Sequence, residues 1–204
     1  MSVASPTNTP LAEPWAAVPA ASTSDPPLTI WRMSVDRYHR MIDSGLLGED
    51  DRLELLDGVL VKKMSLNPNH SVATESVNDL LRQSLPPGLI VRQEQPVTLA
   101  NSEPEPDIAV VRGTRADFRR HHPTPDKCVL IVEVADSSLA RDTYKARLYA
   151  AAGVREYWIL DLPNRQLIVH RSPSADGYGD VSTGDVAETL VGNATLRVDV
   201  AELP

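Results

Sequence analysis

Two strongly apolar runs each carry one carboxylate where a plain core strand would have none. They are Pro106-Asp107-Ile108-Ala109-Val110-Val111 and Cys128-Val129-Leu130-Ile131-Val132-Glu133-Val134. A carboxylate inside a buried strand costs several kcal/mol of desolvation unless a cation or hydrogen bonds compensate it. The two strands are expected to pair, which would bring Asp107 and Glu133 together at one end of a sheet. That arrangement suits a divalent metal: hard cations such as Mg²⁺ take one or two protein carboxylates and leave other positions to water and substrate phosphate. Taken singly, each acid can equally be a strand-end carboxylate satisfied by backbone donors.

The segment after Glu133 adds further polar groups. Asp142, Lys145 and Tyr149 stand at offsets of three and seven, so a helix puts them on one face. A lysine there can polarise an attacking water and stabilise charge developing at a phosphorus centre. A surface pair between Asp142 and Lys145 is the plainer reading. Glu54, between Leu53 and Leu55, can ligate a metal or orient water, or simply face outward from its strand. His70 falls on the inner face of its predicted helix, either as a site residue or as a buried, hydrogen-bonded histidine near the helix start.

Several elements must position these groups. Ser34 caps a predicted helix running to about Ser44. Asp57-Gly58 between two apolar runs predicts a hairpin of Arg52–Leu56 with Val59–Val61. Asn67 and Pro68 open a second helix that ends before Pro86-Pro87. Strands are predicted at Leu89–Arg92 and Pro96–Leu99, followed by the two carboxylate-bearing strands, with a helical turn at Arg115–Arg120 between them. A helix from Leu139 to Ala152, closed by Gly153, leads to a strand at Glu156–Leu160. Gln166–His170 returns as a further strand, and a weak β pattern ends in Leu196–Val198. Strands in succession, with one helical crossover, predict an α/β domain around a mixed sheet.

Composition limits the alternatives. Residues 1–27 hold six prolines and no Lys or Arg, which predicts a disordered tail; residues 28–204 are expected to form the folded domain. The single cysteine, Cys128, rules out an internal disulfide and reads as a core residue. No run reaches the length of a membrane span and no secretory signal is apparent, so no membrane partner is expected and the cytoplasm is the expected location. The net charge of −8 argues against a broad basic nucleic-acid grip. Basic residues cluster locally all the same, as Arg112, Arg115, Arg119 and Arg120 with His121 and His122, and as Arg141, Lys145 and Arg147; each cluster taken alone reads as a solvated face. Phosphate-cradling glycine loops, zinc motifs and a serine-hydrolase elbow are all missing.

Pro106-Asp107 followed by Glu133-Val134-Ala135 resembles the PD-(D/E)XK nuclease signature, with Ala135 at the usual lysine position. The wider set resembles the Uma-two family of restriction-endonuclease-like proteins, in which the lysine comes instead from the following helix, at Lys145 here. That set is Leu53-Glu54-Leu55-Leu56-Asp57-Gly58, Asn67-Pro68-Asn69-His70, Glu105-Pro106-Asp107, Glu133-Val134, Asp142-x-x-Lys145-x-x-x-Tyr149 and Glu156-Tyr157-Trp158. The resemblance implies a restriction-endonuclease-like α/β fold, a mixed central β-sheet flanked by helices, and metal-dependent hydrolysis of DNA phosphodiesters. By the same resemblance Asp107, Glu133 and the Val134 carbonyl bind Mg²⁺, for which Mn²⁺ can substitute. Lys145 activates water, Glu54 assists, and His70, Asp142 and Tyr149 support the site. A homodimer is the family-level expectation. The alternatives are a catalytically silent module that binds DNA or a protein, and a metal-dependent hydrolase of a smaller phosphoester.

Overall fold

The computed structural model describes residues 30–64 and 67–204. The tail expected over residues 1–27 lies outside the described residues, and the account below concerns Arg32–Pro204, which form one unit.

Local sequence sets the first elements. Helix α1 (Val35–Asp43) starts where the Ser34 hydroxyl accepts the Arg37 N–H, and it turns Val35 and Tyr38 inward. Strands β1 (Leu53–Leu56) and β2 (Val59–Lys62) form a hairpin with Leu56 opposite Val59. Its two turn residues, Asp57 and Gly58, both have positive φ (48° and 75°), as a two-residue turn matched to strand twist requires. Gly58 is also sterically fixed, since a Cβ there would lie 2.6 Å from the Arg32 Cβ. Helix α2 (Pro68–Gln83) is capped by Asn67, whose side chain accepts the His70 N–H at 2.9 Å.

The central sheet has six strands in the order β3 (Leu89–Gln93), β4 (Ile108–Arg112), β5 (Cys128–Ala135), β6 (Tyr157–Asp161), β7 (Gln166–Ser174), β8 (Gly177–Gly184). All neighbours run antiparallel except β5 and β6, which are parallel. That pair needs a crossover, supplied by helix α3 (Leu139–Ala151). Strands β9 (Val186–Val191) and β10 (Ala194–Asp199) form a separate hairpin. Alternation along the strands divides the core in two. Ile108, Val110, Leu130, Val132 and Trp158 pack with Ala73, Val77 and Leu81 of α2 and with the β9–β10 hairpin. Ala109, Val111, Ile131 and Ile159 pack with Ala146 and Tyr149 of α3. Glu133 has the parity of Ile131, so it faces α3. The architecture is therefore the expected α/β arrangement, a mixed sheet with helices on both faces. No helix among the described residues is long and apolar enough to cross a membrane.

Two sequence expectations change. Pro96–Leu99 is not a strand. Pro96 and Pro104 have no N–H to donate, and the segment closes on itself through Val97 N–H to Pro104 O and Leu99 N–H to Ser102 O. Asp107 does not lie inside a strand either: β4 begins at Ile108, leaving Asp107 at the strand's mouth with its side chain 14% exposed.

Candidate active site

The crossover that makes β5 and β6 parallel also brings α3 over the end of β5. Lys145, on the buried face of α3, reaches Glu133 and Glu54 together: its Nζ lies 3.2 Å from Glu133 Oε1 and 3.2 Å from Glu54 Oε2. Glu133 is only 3% exposed. Burial pushes its carboxyl well above the usual carboxylate range; Lys145 acts against that rise, while Asp107 adds to it. Burial alone would lower the Lys145 ammonium, but Glu133, Glu54 and Asp142 outweigh that and hold it above its usual range. Lys145 is therefore a fixed positive charge between two acids.

Asp107 and Glu133 brace each other through the backbone. The Asp107 N–H donates to Glu133 Oε2 at 3.3 Å, and the Val134 N–H donates to Asp107 Oδ2 at 2.7 Å. The N–H and C=O of one strand residue point to the same side, so the Val134 carbonyl faces the β4 edge as well. Extending the register beyond Ile108↔Val132 sets Pro106 opposite Val134. Proline has no N–H to give, so the ladder leaves that carbonyl without a donor. From the opposite face of the sheet, His70 Nε2 lies 3.2 Å from Asp107 Oδ2, and its Nδ1 lies 3.4 Å from Thr74 Oγ1. The bond to Asp107 raises the His70 pKa above its ordinary value despite burial.

Glu54, His70, Asp107, Glu133, Asp142 and Lys145 all line one cavity of about 320 Å³. Asp142 accepts the Ser138 hydroxyl at 2.5 Å; burial raises its pKa to about 6, partly offset by Ser138 and Lys145. Tyr149 is not part of the wall. It is fully buried under α3, its ring 5.0 Å from Tyr157, so the shared helical face continues from the site into the core.

The sequence assigns no site role to Glu105 and Arg141, which line the same cavity. Glu105 donates its N–H to Glu54 Oε2 at 3.2 Å and pairs through its side chain with Lys63. Arg141 donates to the Lys62 carbonyl at 2.7 Å and stands 3.8 Å from Glu54 Oε1, tying α3 to the hairpin. Their only sequence signal was adjacency, Glu105 to Pro106 and Arg141 to Asp142.

A hard cation fits this donor set. Asp107 Oδ2 takes both of that carboxylate's hydrogen bonds, so Oδ1 receives none from the described residues. Next to it stand the Glu133 carboxylate, which accepts the Asp107 N–H, and the Val134 carbonyl, opposite a proline that has no N–H to donate. Among the described residues there is no ready group of three or more His, Cys, Asp or Glu ligands. Two carboxylates and a carbonyl suit Mg²⁺, which keeps much of its water, better than a closed zinc cage.

The sequence matches a family described as "Uma2: Putative restriction endonuclease" over residues 35–202. No curated protein matches the chain. Among solved structures, the fold is similar to that of a protein from Anabaena variabilis described as "a putative nuclease belonging to DUF820". The TM-score is 0.66 at 15% identity, covering 83% of this chain and 96% of that one. At that identity the likeness concerns the fold.

Proposed function

Because the chain belongs to the Uma2 family, we propose that it is an endonuclease that hydrolyses DNA phosphodiester bonds with Mg²⁺, in the cytoplasm and as a homodimer where paired cuts are made. The observation that carries this reading is the Lys145 ammonium held between Glu54 and Glu133, beside the cross-braced Asp107. Asp107, Glu133 and the Val134 carbonyl would hold the cation, with Mn²⁺ as a substitute. A bound divalent cation supplies Lewis-acid charge at the phosphoryl oxygen and makes its water a stronger acid.

The chain's own groups do the rest. Lys145 stays charged, so it acts by placing the attacking water and by facing the negative charge that builds on the phosphoryl oxygens. Glu54, on the other side of that ammonium, orients the water. Glu105 and Arg141 fix Glu54 in turn, and His70 holds the Asp107 carboxylate toward Val134. Water adds to phosphorus in line as the bond to the leaving oxygen breaks; the proton the water gives up passes to solvent, and solvent returns one to the leaving oxygen.

The test is nicking of supercoiled and single-stranded DNA with Mg²⁺ or Mn²⁺ by wild type, Asp107→Ala and Lys145→Ala. Each variant should lose at least about 100-fold in rate, the scale of losing a preorganised electrostatic group. Cleavage that persists in Asp107→Ala would overturn the mechanism. One observation favours a second reading, a silent DNA- or protein-binding module: Lys145 is already neutralised by two acids. Wild type that neither cuts DNA nor binds Mn²⁺ would establish that reading instead.

A further inference from the structure

A second cavity, of about 660 Å³, is lined by residues from the start of β5, the end of β7 and β9. Val129, the second residue of β5, is among them. Glu133 lies four residues further along that strand, so the strand rise alone sets the candidate active site about 13 Å away. Three arginines line the cavity: Arg112, Arg155 and Arg171. Arg171 is held from two sides, Nε donating to Glu156 Oε1 at 2.9 Å and Nη2 to the Glu188 carbonyl at 2.6 Å. Glu156 is fixed in turn, because Trp158 Nε1 donates to its Oε2 at 2.9 Å and the Thr189 hydroxyl to its Oε1 at 3.2 Å. Arg171 Nη1 takes no part in this network. A guanidinium positioned in advance loses less freedom when it meets a ligand.

The two acids of this cavity are already engaged. Glu156 accepts the three bonds just described, and Asp126 accepts the Thr124 hydroxyl at 2.5 Å and stands 3.4 Å from Lys127 Nζ. Arg112 and Arg155 are exposed, and neither side chain has a hydrogen-bond or ion-pair partner among the described residues. Two guanidinium charges therefore line the cavity without a counter-charge, in a protein of net charge −8. A carboxylate would occupy one guanidinium fork and leave the other unmet. A phosphate monoester carries about two negative charges at neutral pH and offers three acceptor oxygens, which matches both. The remaining wall is apolar. Val129 and Val191 are buried there, whereas Leu190 is 76% exposed and gains by being covered.

We propose that this cavity binds a small phosphate monoester with an apolar body. Arg112 and Arg155 neutralise the phosphate, Arg171 Nη1 adds a donor already in place, and the body covers Leu190. The volume is that of ordinary small-molecule sites. This site is separate from the Asp107–Glu133 site, needs no metal, and stands whether or not the chain is a nuclease.

The test titrates phenyl phosphate and inorganic phosphate into the full chain by calorimetry and by melting, at matched ionic strength and without divalent cation. Wild type is compared with Arg112→Met, Arg155→Met, Leu190→Ser and Asp107→Ala. Phenyl phosphate should raise the wild-type melting temperature and bind more tightly than inorganic phosphate. Each arginine variant should bind it roughly tenfold more weakly, as expected for a lost charged hydrogen bond, and both arginines are exposed, so the variants should fold. Leu190→Ser should weaken phenyl phosphate and leave inorganic phosphate unchanged. Asp107→Ala should bind both probes as wild type does. If phenyl phosphate fails to bind wild type, or binds both arginine variants as tightly, the site does not exist. If Asp107→Ala alone abolishes binding, the phosphate belongs to the candidate active site and the proposal falls. Equal affinity for the two probes, unchanged in Leu190→Ser, would overturn the apolar body and leave free phosphate as the ligand. Failure of wild type to cleave DNA removes the nuclease reading and leaves all these comparisons intact.

Discussion

Lys145→Met would leave Glu54 and Glu133 buried beside each other without the ammonium they share. Breaking a buried pair from one side costs about 3–5 kcal/mol, so urea denaturation should show a loss of that size. Adding Glu133→Gln removes one of the two stranded acids, so the double variant should regain part of the stability while DNA cleavage stays lost. Asp142 gives a pH test. Burial pushes its pKa in the folded state up to about 6, above the ordinary 3.8, so the folded state prefers it protonated. Its contribution to stability is complete below the lower value and is lost as pH rises through the higher one. Asp142→Asn cannot titrate, so the stability of wild type relative to it should fall between pH 4 and 7.5. The fall is about 2 kcal/mol over that window, as proton linkage gives for a carboxyl held near 6 in the folded state, and urea titrations at the two pH values would measure it.

At the scale of elements, two short signals position the site. Asn67 caps α2 and also donates to Asp136 just beyond β5 at 2.5 Å, while Asn69 donates to the same carboxylate at 3.1 Å. These bonds pin the start of α2 to the end of β5, so that His70 meets Asp107. Asn67→Ala should cost about 1 kcal/mol for the lost cap, and DNA cleavage should fall with it because His70 is released. The β1–β2 turn presents Glu54. Gly58→Ala puts a side chain at φ 75° and 2.6 Å from the Arg32 Cβ, so a loss of at least about 1 kcal/mol is expected from the left-handed conformation alone. Calorimetry on the variant would measure it. Both elements were legible in the sequence because caps and two-residue turns are local. The strand expected at Pro96–Leu99 was not, because its apolar pattern outweighed the missing N–H groups of Pro96 and Pro104.

For the whole molecule, the mixed sheet buries an apolar core on each of its faces. Cys128 is buried, and its thiol is pushed up to about 12 chiefly by burial, so native protein should react with a thiol reagent only as fast as it unfolds, while urea-unfolded protein reacts at once. The same burial explains what was legible and what was not. The sequence by itself determined that acids sat in apolar company at Asp107 and Glu133, that Lys145 shared a helical face with Asp142, and that a hairpin carried Glu54, because periodicity and turn chemistry are written along the chain. Tertiary structure alone decided that Lys145 lies between Glu54 and Glu133, that Asp107 stands at the strand mouth, and that Tyr149 belongs to the core. It alone showed that Arg92 lies buried with no carboxylate paired to it among the described residues. Each of these depends on which residues from distant segments meet, and on how far burial strips them of water. Sheet register and the crossover of α3 set both, and no local pattern encodes either.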